Sequence, residues 1–352
     1  MKNLKTLLLA IAICALAAGC SHSSAPVYEP FSLDGAEPLE GTVLCDSIVA
    51  SVVVDMMPVG DYLAVAYATP DNRCALFDRQ GKRIAEFCPI GKGPGEALFI
   101  ISVEPGERDG ELWAYDPQSQ KRLTFRLDSV LAGRRGAVAE ESRDELADVP
   151  MNHVEDVRKI RDGLLFSGGN GIISPMRPER FVTTDRQGRI TGRYGDVPYS
   201  DDTIEMKVAF MSAQWTISPD GTKMANGSLF GSILEIFDLT EGIRLKDRSY
   251  FIEPDFPHNE VGTITSYETL VFGFGSMTST NDRIYAAYTG STDPKGMKYI
   301  AIFDWNGRLK KLYKTDYRIR TLCVDPADER TLYAVMRDDD GEYCLLRYDL
   351  PE

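Results

Sequence analysis

An apolar run that ends in aspartate recurs six times along the chain, and this repeat restricts the fold more than any other sequence feature. The runs alternate apolar and polar side chains, which is typical of half-buried β-strands. Successive copies lie 45 to 66 residues apart, near the spacing of about 40–50 residues between the four-stranded blades of β-propellers. The runs end at Asp78, Asp128, Asp185, Asp238, Asp304 and Asp349.

Tight turns follow three of these aspartates. In Asp78–Gly81 the aspartate can cap backbone N–H groups and the glycine can adopt a positive φ, and the same pattern follows Asp185 and Asp304. A second strand is predicted upstream of each run, for example over Tyr62–Ala68 and Arg283–Tyr288. The sequence therefore predicts an all-β fold, a six-bladed β-propeller of four-stranded antiparallel blades over residues 39–352.

The two ends of the predicted propeller are complementary. The last repeat has only three predicted strands, whereas the apolar run Gly41–Val49 belongs to no blade. We expect this N-terminal strand to lie outermost on the last blade, where it closes the ring and covers an open edge. Cys45 and Cys344 should then lie on neighbouring strands. Whether they are bridged is open, because a disulfide needs a Cα separation of about 4.4–6.8 Å; buried free thiols are favoured for most of the remaining cysteines.

Two kinds of segment interrupt the repeat. Val130–Asp148 is charged and rich in alanine, which predicts an insertion with one short helix. Residues 197–214 and 253–280 are candidate binding loops, because ligand contacts often lie on loops of a rigid scaffold. The candidate contacts in and beside these loops are Tyr199, Trp215 and His258. The alternatives are aromatic side chains packed in the core and an exposed loop histidine.

The N-terminus has the pattern of an export signal. Lys2 and Lys5 precede the apolar run Leu7–Ala18, which is too short to cross a bilayer, and Cys20 follows small residues. We predict a signal peptide over residues 1–19, lipid attachment at Cys20 and a flexible tether over residues 20–38 that is rich in Ser, Pro and Glu. The alternative is a plain secretory signal that releases a soluble protein.

Charge and motif content exclude several functions. The chain has 39 Lys and Arg against 53 Asp and Glu, a net charge of −14, which argues against nucleic acid as a partner. Its three histidines form no zinc or catalytic spacing, and the phosphate-loop, nucleophile-elbow and EF-hand motifs are missing from the sequence. No cofactor or metal is therefore predicted, and no catalytic residue can be assigned.

A glycine-rich loop lies between the first and second predicted blades. Its residues of interest are Gly91, Lys92, Gly93, Gly95 and Glu96. Consecutive N–H groups in such a loop can bind an anion, but a structural crossover between blades is favoured. The loop resembles the G-x-G-P-G-[EQ]-F loop of NHL-type repeats. Together with the Cys20 motif, it is similar to that of the TolB-like six-bladed β-propeller lipoproteins of Gram-negative bacteria.

This resemblance implies a location in the cell envelope and a binding or scaffold role. We expect a lipoprotein held to the outer membrane on its periplasmic side, whose propeller binds a protein, a peptide or a glycan. The alternative is a metal-dependent hydrolase or lyase that uses the central channel, which requires acidic or amide side chains from several blades to converge there.

Overall fold

The structure is a computed structural model that describes residues 26–134, 138, 140–143, 154–168, 180–195, 213–255, 257, 259, 265–266, 268–293, 297–338 and 340–351. The predicted signal peptide, Cys20, Tyr199 and His258 lie outside the described residues, as does nearly all of loop 197–214. Within the described residues, the fold is built from antiparallel sheets, with one short N-terminal strand added in parallel, and a single short helix.

Two short strands precede the first blade, and four separate four-stranded sheets follow. The N-terminal strands are β1 (Glu37–Leu39) and β2 (Thr42–Ile48). The first sheet comprises β3 (Val52–Val59), β4 (Tyr62–Ala68), β5 (Asn72–Asp78) and β6 (Arg83–Pro89). The second comprises β7 (Ser102–Pro105), β8 (Glu111–Asp116), β9 (Lys121–Arg126) and β10 (Glu140–Arg143). The third comprises β11 (Val154–Ile160), β12 (Gly163–Gly168), β13 (Phe181–Asp185) and β14 (Ile190–Tyr194). The fourth comprises β15 (Ala213–Ile217), β16 (Lys223–Ser228), β17 (Ser232–Asp238) and β18 (Arg244–Ile252).

The remaining strands form a continuous sheet that contains two blades. They are β19 (Phe272–Ser279), β20 (Arg283–Ser291), β21 (Met297–Asp304), β22 (Leu309–Asp325), β23 (Asp328–Arg337) and β24 (Tyr343–Asp349). The first half of β22 pairs with β21 and its second half pairs with β23. One strand of 17 residues is therefore the outer strand of the fifth blade and the inner strand of the sixth.

The N-terminal strand lies where the repeat predicts it. β2 pairs antiparallel with β24, with Val43 opposite Leu346 and Cys45 opposite Leu345, so the sixth sheet also has four strands. One buried apolar cluster joins Val53 and Val65 of the first blade to Val335 of the sixth. The predicted neighbourhood of Cys45 and Cys344 is confirmed. Both are free thiols, and Cys344 donates a hydrogen bond to the Asp46 carbonyl at 3.1 Å.

The recurring aspartates cap their turns by accepting backbone hydrogen bonds. In the first blade, Asp78 Oδ1 accepts the N–H groups of Gln80 at 3.0 Å and Lys82 at 2.9 Å, while Gly81 has φ +85°. Asp185 and Asp304 accept the same pair of bonds in their turns. Asp128 differs, because it lies in the short helix α1 (Leu127–Leu131).

The insertion in the second blade separates its third and fourth strands. Helix α1 begins three residues before the predicted insertion and buries Leu127 and Val130. β10 then pairs with β9 to complete the sheet. Among its described residues, the predicted insertion therefore contains a strand, while the short helix lies mostly before it and only Val130 and Leu131 fall within the predicted range.

Residues 28–39 lie along the fourth, fifth and sixth blades, which corrects the expected tether for the second half of its length. Phe31 packs against Phe251, Tyr288 and Phe303 at ring separations of 4.9 to 6.1 Å. β1 pairs in parallel with β22 and buries Leu39. Burial of these apolar side chains stabilises an ordered path for a segment of otherwise polar composition.

Candidate binding site at the mouth of the central channel

The inner strands of all six blades contribute side chains to a narrow central channel. These strands are β3, β7, β11, β15, β19 and β22, and each is the first strand of its blade. The channel contains two small cavities, of about 140 Å³ and about 50 Å³. Their lining includes Asp55, Ile101, Asp156, Arg158, Trp215, Met277 and Arg320.

Arg158 is the centre of a charged network in the channel. Its guanidinium contacts Asp55 Oδ2 at 2.8 Å and Asp156 Oδ2 at 3.2 Å, and all three side chains are largely buried. Ser102 donates a hydrogen bond to Asp156 at 2.8 Å, and the Val103 N–H donates to Asp55 at 3.0 Å. The two carboxylates of this network therefore already have partners within the protein.

Burial and charge shift the pKa values in this network in opposite directions. Burial raises the pKa of Asp156 to about 6, although Arg158 lowers it. Burial also opposes the charged form of Arg158, but Asp156, Asp55 and Glu104 together raise its pKa well above the usual range. The guanidinium is therefore the permanent counter-charge of the channel carboxylates.

Glu104 lies where the channel opens. Its side chain lines both the smaller channel cavity and the wider space outside it. Its Oε2 atom accepts the backbone N–H of Lys159 at 3.1 Å. Burial raises the pKa of Glu104 to about 7, against the lowering effects of Arg158 and Lys159. Near neutral pH this carboxyl is therefore divided between its neutral and charged forms.

The wider space is a basin of about 670 Å³, which we call the mouth basin. It lies where the inner strands leave the channel and turn towards the second strand of each blade. All six blades contribute to it, and apolar side chains provide most of its exposed lining, beside six Ser and Thr residues and the charged residues Glu104, Lys159, Arg161 and Asp220. The apolar lining residues are Met57, Pro58, Pro105, Ile160, Ile217, Pro219, Leu239, Val324 and Pro326. This volume is in the range of small-molecule and peptide pockets, about 300–1,000 Å³.

The glycine-rich loop binds its own carboxylates. The Gly93 N–H donates to Glu96 Oε2 at 2.8 Å, and the Gly95 N–H donates to Glu141 Oε2 at 2.9 Å. The carbonyls of Lys92, Gly93 and Glu96 accept hydrogen bonds from Lys121 Nζ at 2.7 to 3.3 Å.

Lys121 is 0% exposed and also pairs with Glu141 at 3.2 Å. Gly91 has φ +156°, and a Cβ atom there would lie 2.0 Å from Glu96 Oε2, so a larger residue would displace the carboxylate that the Gly93 N–H holds. Because its N–H groups already hold carboxylates, the loop supports the interpretation as a structural crossover over that of an anion site.

Of the three candidate contacts predicted in and beside loops 197–214 and 253–280, only Trp215 lies within the described residues. It is 3% exposed and packs against Phe181, while one side of it lines the channel. Core packing therefore accounts for most of its surface. The residues that build the channel network and the mouth basin were not singled out from the sequence, although Asp55 stands alone in the apolar run Val52–Val59.

The channel carboxylates do not form a metal site. Among the described residues, no three His, Cys, Asp or Glu side chains are grouped so that they could hold a metal ion. Asp55 and Asp156 converge on a guanidinium instead, which supplies the positive charge between them.

Comparisons with known proteins agree on the fold. A family model described as TolB-like 6-blade propeller-like matches residues 71–327. An exported protein from Bacteroides fragilis NCTC 9343 has 15% identity and a TM-score of 0.60, over 92% of this chain and 99% of that chain. A member of the DUF4221 family from Bacteroides vulgatus has 10% identity and a TM-score of 0.61, over 89% and 97%.

A gluconolactonase from Xanthomonas campestris is also similar, with 14% identity, a TM-score of 0.52, and coverage of 93% of this chain and 98% of that chain. At these identities the similarity shows the fold alone. A comparison with curated proteins finds no match. No helix among the described residues is both long and apolar enough to cross a membrane.

Proposed function

The chain belongs to the TolB-like 6-blade propeller-like family, and from that premise we propose that it is an exported, lipid-anchored binding protein whose ligand occupies the mouth basin. The observation that carries this proposal is the contrast between the channel and its mouth. The channel cavities of about 140 and 50 Å³ are too small for a ligand of ordinary size, whereas the mouth basin of about 670 Å³ is open and mainly apolar.

The proposed ligand is an apolar segment of a peptide or protein. Glycan sites usually present aromatic faces to sugar rings, and none of the described residues that line the basin is aromatic. Aliphatic and proline side chains instead match aliphatic side chains of a partner, and burial of apolar area provides most of the affinity in such contacts. A protein or peptide is therefore favoured over a glycan.

The side chains of the channel give little support to the alternative, a metal-dependent hydrolase or lyase. A hydrolase that needs a metal requires several side chains free to bind it, whereas the two aspartates of the channel are paired with Arg158. The gluconolactonase of Xanthomonas campestris shares only the fold at 14% identity.

Anchoring to the outer membrane on its periplasmic side is proposed from the sequence motif at Cys20 and from the exported protein of Bacteroides fragilis that shares the fold. In cells fed a palmitate analogue, the wild-type chain should be labelled and recovered with membranes. Cys20→Ser should lose the label and move to the soluble fraction. A labelled Cys20→Ser variant, or an unlabelled wild type, would contradict lipid attachment.

The binding proposal is tested with a random peptide library displayed on phage and panned against the full chain. The affinity of an enriched peptide is then measured by fluorescence anisotropy for the wild type and for Ile217→Lys, which places a charge in the basin. We expect binding to weaken at least about ten-fold, because an apolar contact is replaced by a buried charge.

Ile84→Lys is the matched control, because Ile84 is an exposed isoleucine on the outer strand β6 of the first blade. It should bind the same peptide as tightly as the wild type does. Equal affinities for the wild type and Ile217→Lys, or the absence of any enriched peptide, would refute binding at the mouth basin.

A further inference from the structure

A second large cavity adjoins the mouth basin and has a different chemical character. It is a cleft of about 470 Å³ between the second and third blades, which we call the inter-blade cleft. It contains five basic side chains and three acidic ones, so that it is locally positive in a chain of net charge −14. The basic residues are Arg108, Arg122, Lys159, Arg161 and Arg186, and the acidic ones are Glu107, Glu111 and Glu140.

Several of these basic side chains can bind an anionic group of a ligand, because their contacts within the protein are weak or uncharged. Arg186 and Arg108 pair with glutamates at 3.5 Å, but their side chains are 61% and 85% exposed. Such exposed pairs contribute at most about 1 kcal/mol and exchange readily with another anion. Lys159 Nζ donates to the Pro105 carbonyl and lies 5.9 Å from the Trp113 ring, so neither contact neutralises its charge.

The cleft and the basin share a wall. Lys159, Ile160 and Arg161 line both cavities, and Arg161 is exposed at the junction. A ligand whose apolar part fills the basin can therefore extend directly into the cleft, because the two cavities share this wall.

We propose that the peptide recognised by this protein has an acidic segment directly beside its apolar segment, and that the acidic side chains bind in the inter-blade cleft. The proposal deepens the proposed function and rests on it. Apolar contact in the basin provides affinity, while the cationic cleft provides charge complementarity that fixes the direction of the bound chain. Arg161 and Arg186 are the residues assigned to the acidic side chains.

Three peptide libraries test this assignment with the full chain. Each peptide has four positions drawn from Leu, Ile, Val and Pro, followed by Asp-Asp, Asn-Asn or Lys-Lys, and its C-terminus is amidated. We expect the acidic library to bind about ten-fold more tightly than the Asn-Asn library and the basic library to bind most weakly. This preference should shrink at about 0.5 M salt, because surface charges are screened.

The double variant Arg161→Ala and Arg186→Ala should reduce the preference for acidic over Asn-Asn peptides to about two-fold or less. Arg186→Ala alone should reduce this preference with unchanged affinity for the Asn-Asn library, because Arg186 lines the cleft and is not part of the basin lining. Lys246→Ala is the matched control, because Lys246 is an exposed cation on the outer strand β18 of the fourth blade. It should keep the full preference.

The outcomes separate the two proposals. If all three libraries bind equally well and Ile217→Lys weakens them all, the mouth basin binds peptides and the acidic assignment is wrong. If no library binds better to the wild type than to Ile217→Lys, the proposed function itself fails. Binding to vesicles of phosphatidylcholine and phosphatidylglycerol, without preference among the peptides, would assign the cleft to lipid headgroups and overturn the peptide proposal.

Discussion

Replacing Glu104 by glutamine should remove a pH dependence from the stability of the protein. The folded chain raises the pKa of this carboxyl from 4.5 to about 7, mainly because the side chain is buried. Below pH 4.5 the carboxyl is protonated in both the folded and the unfolded chain, so its stabilising contribution is complete. As the pH rises towards 7, only the unfolded chain ionises freely, and the contribution is lost.

The magnitude follows from the interval between the two pKa values. Each pH unit within it lowers the free energy of unfolding by about 1.4 kcal/mol, which gives a total of at most about 3 kcal/mol by pH 7. The charges that face Glu104 are Arg158, Lys159 and Asp156, and the first two favour ionisation. Their effect is already contained in the value of about 7, so it does not reduce this total further.

Urea unfolding of the wild type and Glu104→Gln at a series of pH values from 4 to about 8 measures this loss. The difference between the two free energies of unfolding isolates Glu104, because every other titrating group is common to both chains. We expect the free energy of unfolding of Glu104→Gln, relative to that of the wild type, to increase steadily between pH 4.5 and 7 and then to stay constant. A difference that stays flat over this range would show that Glu104 titrates normally and that the channel mouth is well hydrated.

Three further substitutions test other parts of the structure by urea unfolding. Arg158→Met leaves two buried aspartates without a counter-charge and should lower the free energy of unfolding by about 3–5 kcal/mol. Adding Asp55→Asn and Asp156→Asn should recover part of this loss. If stability does not recover, the charged network is contradicted. Lys121→Met should lower the free energy of unfolding by about 3 kcal/mol without changing peptide affinity. An unchanged free energy of unfolding would contradict the role of Lys121 in the glycine-rich loop. Phe31→Ala should cost about 1–2 kcal/mol and make residues 26–36 the first site of limited proteolysis, whereas an unchanged cleavage pattern would contradict docking of this segment.

The fold could be predicted largely from the sequence, because each blade is specified locally. The strand predicted over Tyr62–Ala68 has the observed bounds, and Gly41–Val49 pairs with the last strand as expected. The continuity of β22 was not predicted, although Leu309–Asp325 contains no glycine or proline that would interrupt a strand.

Two further differences between the predicted and the observed structure arise from contacts between distant parts of the chain. The Ala-rich, charged sequence before β10 favours helix, but Glu140–Arg143 pairs with the exposed edge of β9. Phe31 stands in a segment whose composition resembles a linker, and the aromatic side chains that bury it come from strands more than 200 residues away. Neither interaction can be predicted from the local secondary-structure propensity of the segment.

The candidate site could not be found by a search for motifs, because its residues come from different blades. Each blade contributes only one or two residues to the larger channel cavity, and the next contributor lies about a blade further along the chain. Asp55 and Arg158, which form an ion pair, are 103 residues apart. A sequence motif records residues close together in the chain, so it cannot record a site assembled in this way.

The same geometry explains why binding is expected at the mouth of the channel and not inside it. Six inner strands that converge on one axis leave a narrow space, and here that space is filled by a guanidinium and its carboxylates. The network holds strands β3 and β11 together and leaves cavities that are too small for a peptide segment. Where the strands turn outwards the space widens, and residues from all six blades line one basin together, with apolar side chains from every blade except the fifth, which contributes Thr278 and Ser279 of β19. Glu104 lines both the smaller channel cavity and this basin, so its protonation changes the charge that a bound apolar segment meets there, beside the charges of Lys159, Arg161 and Asp220.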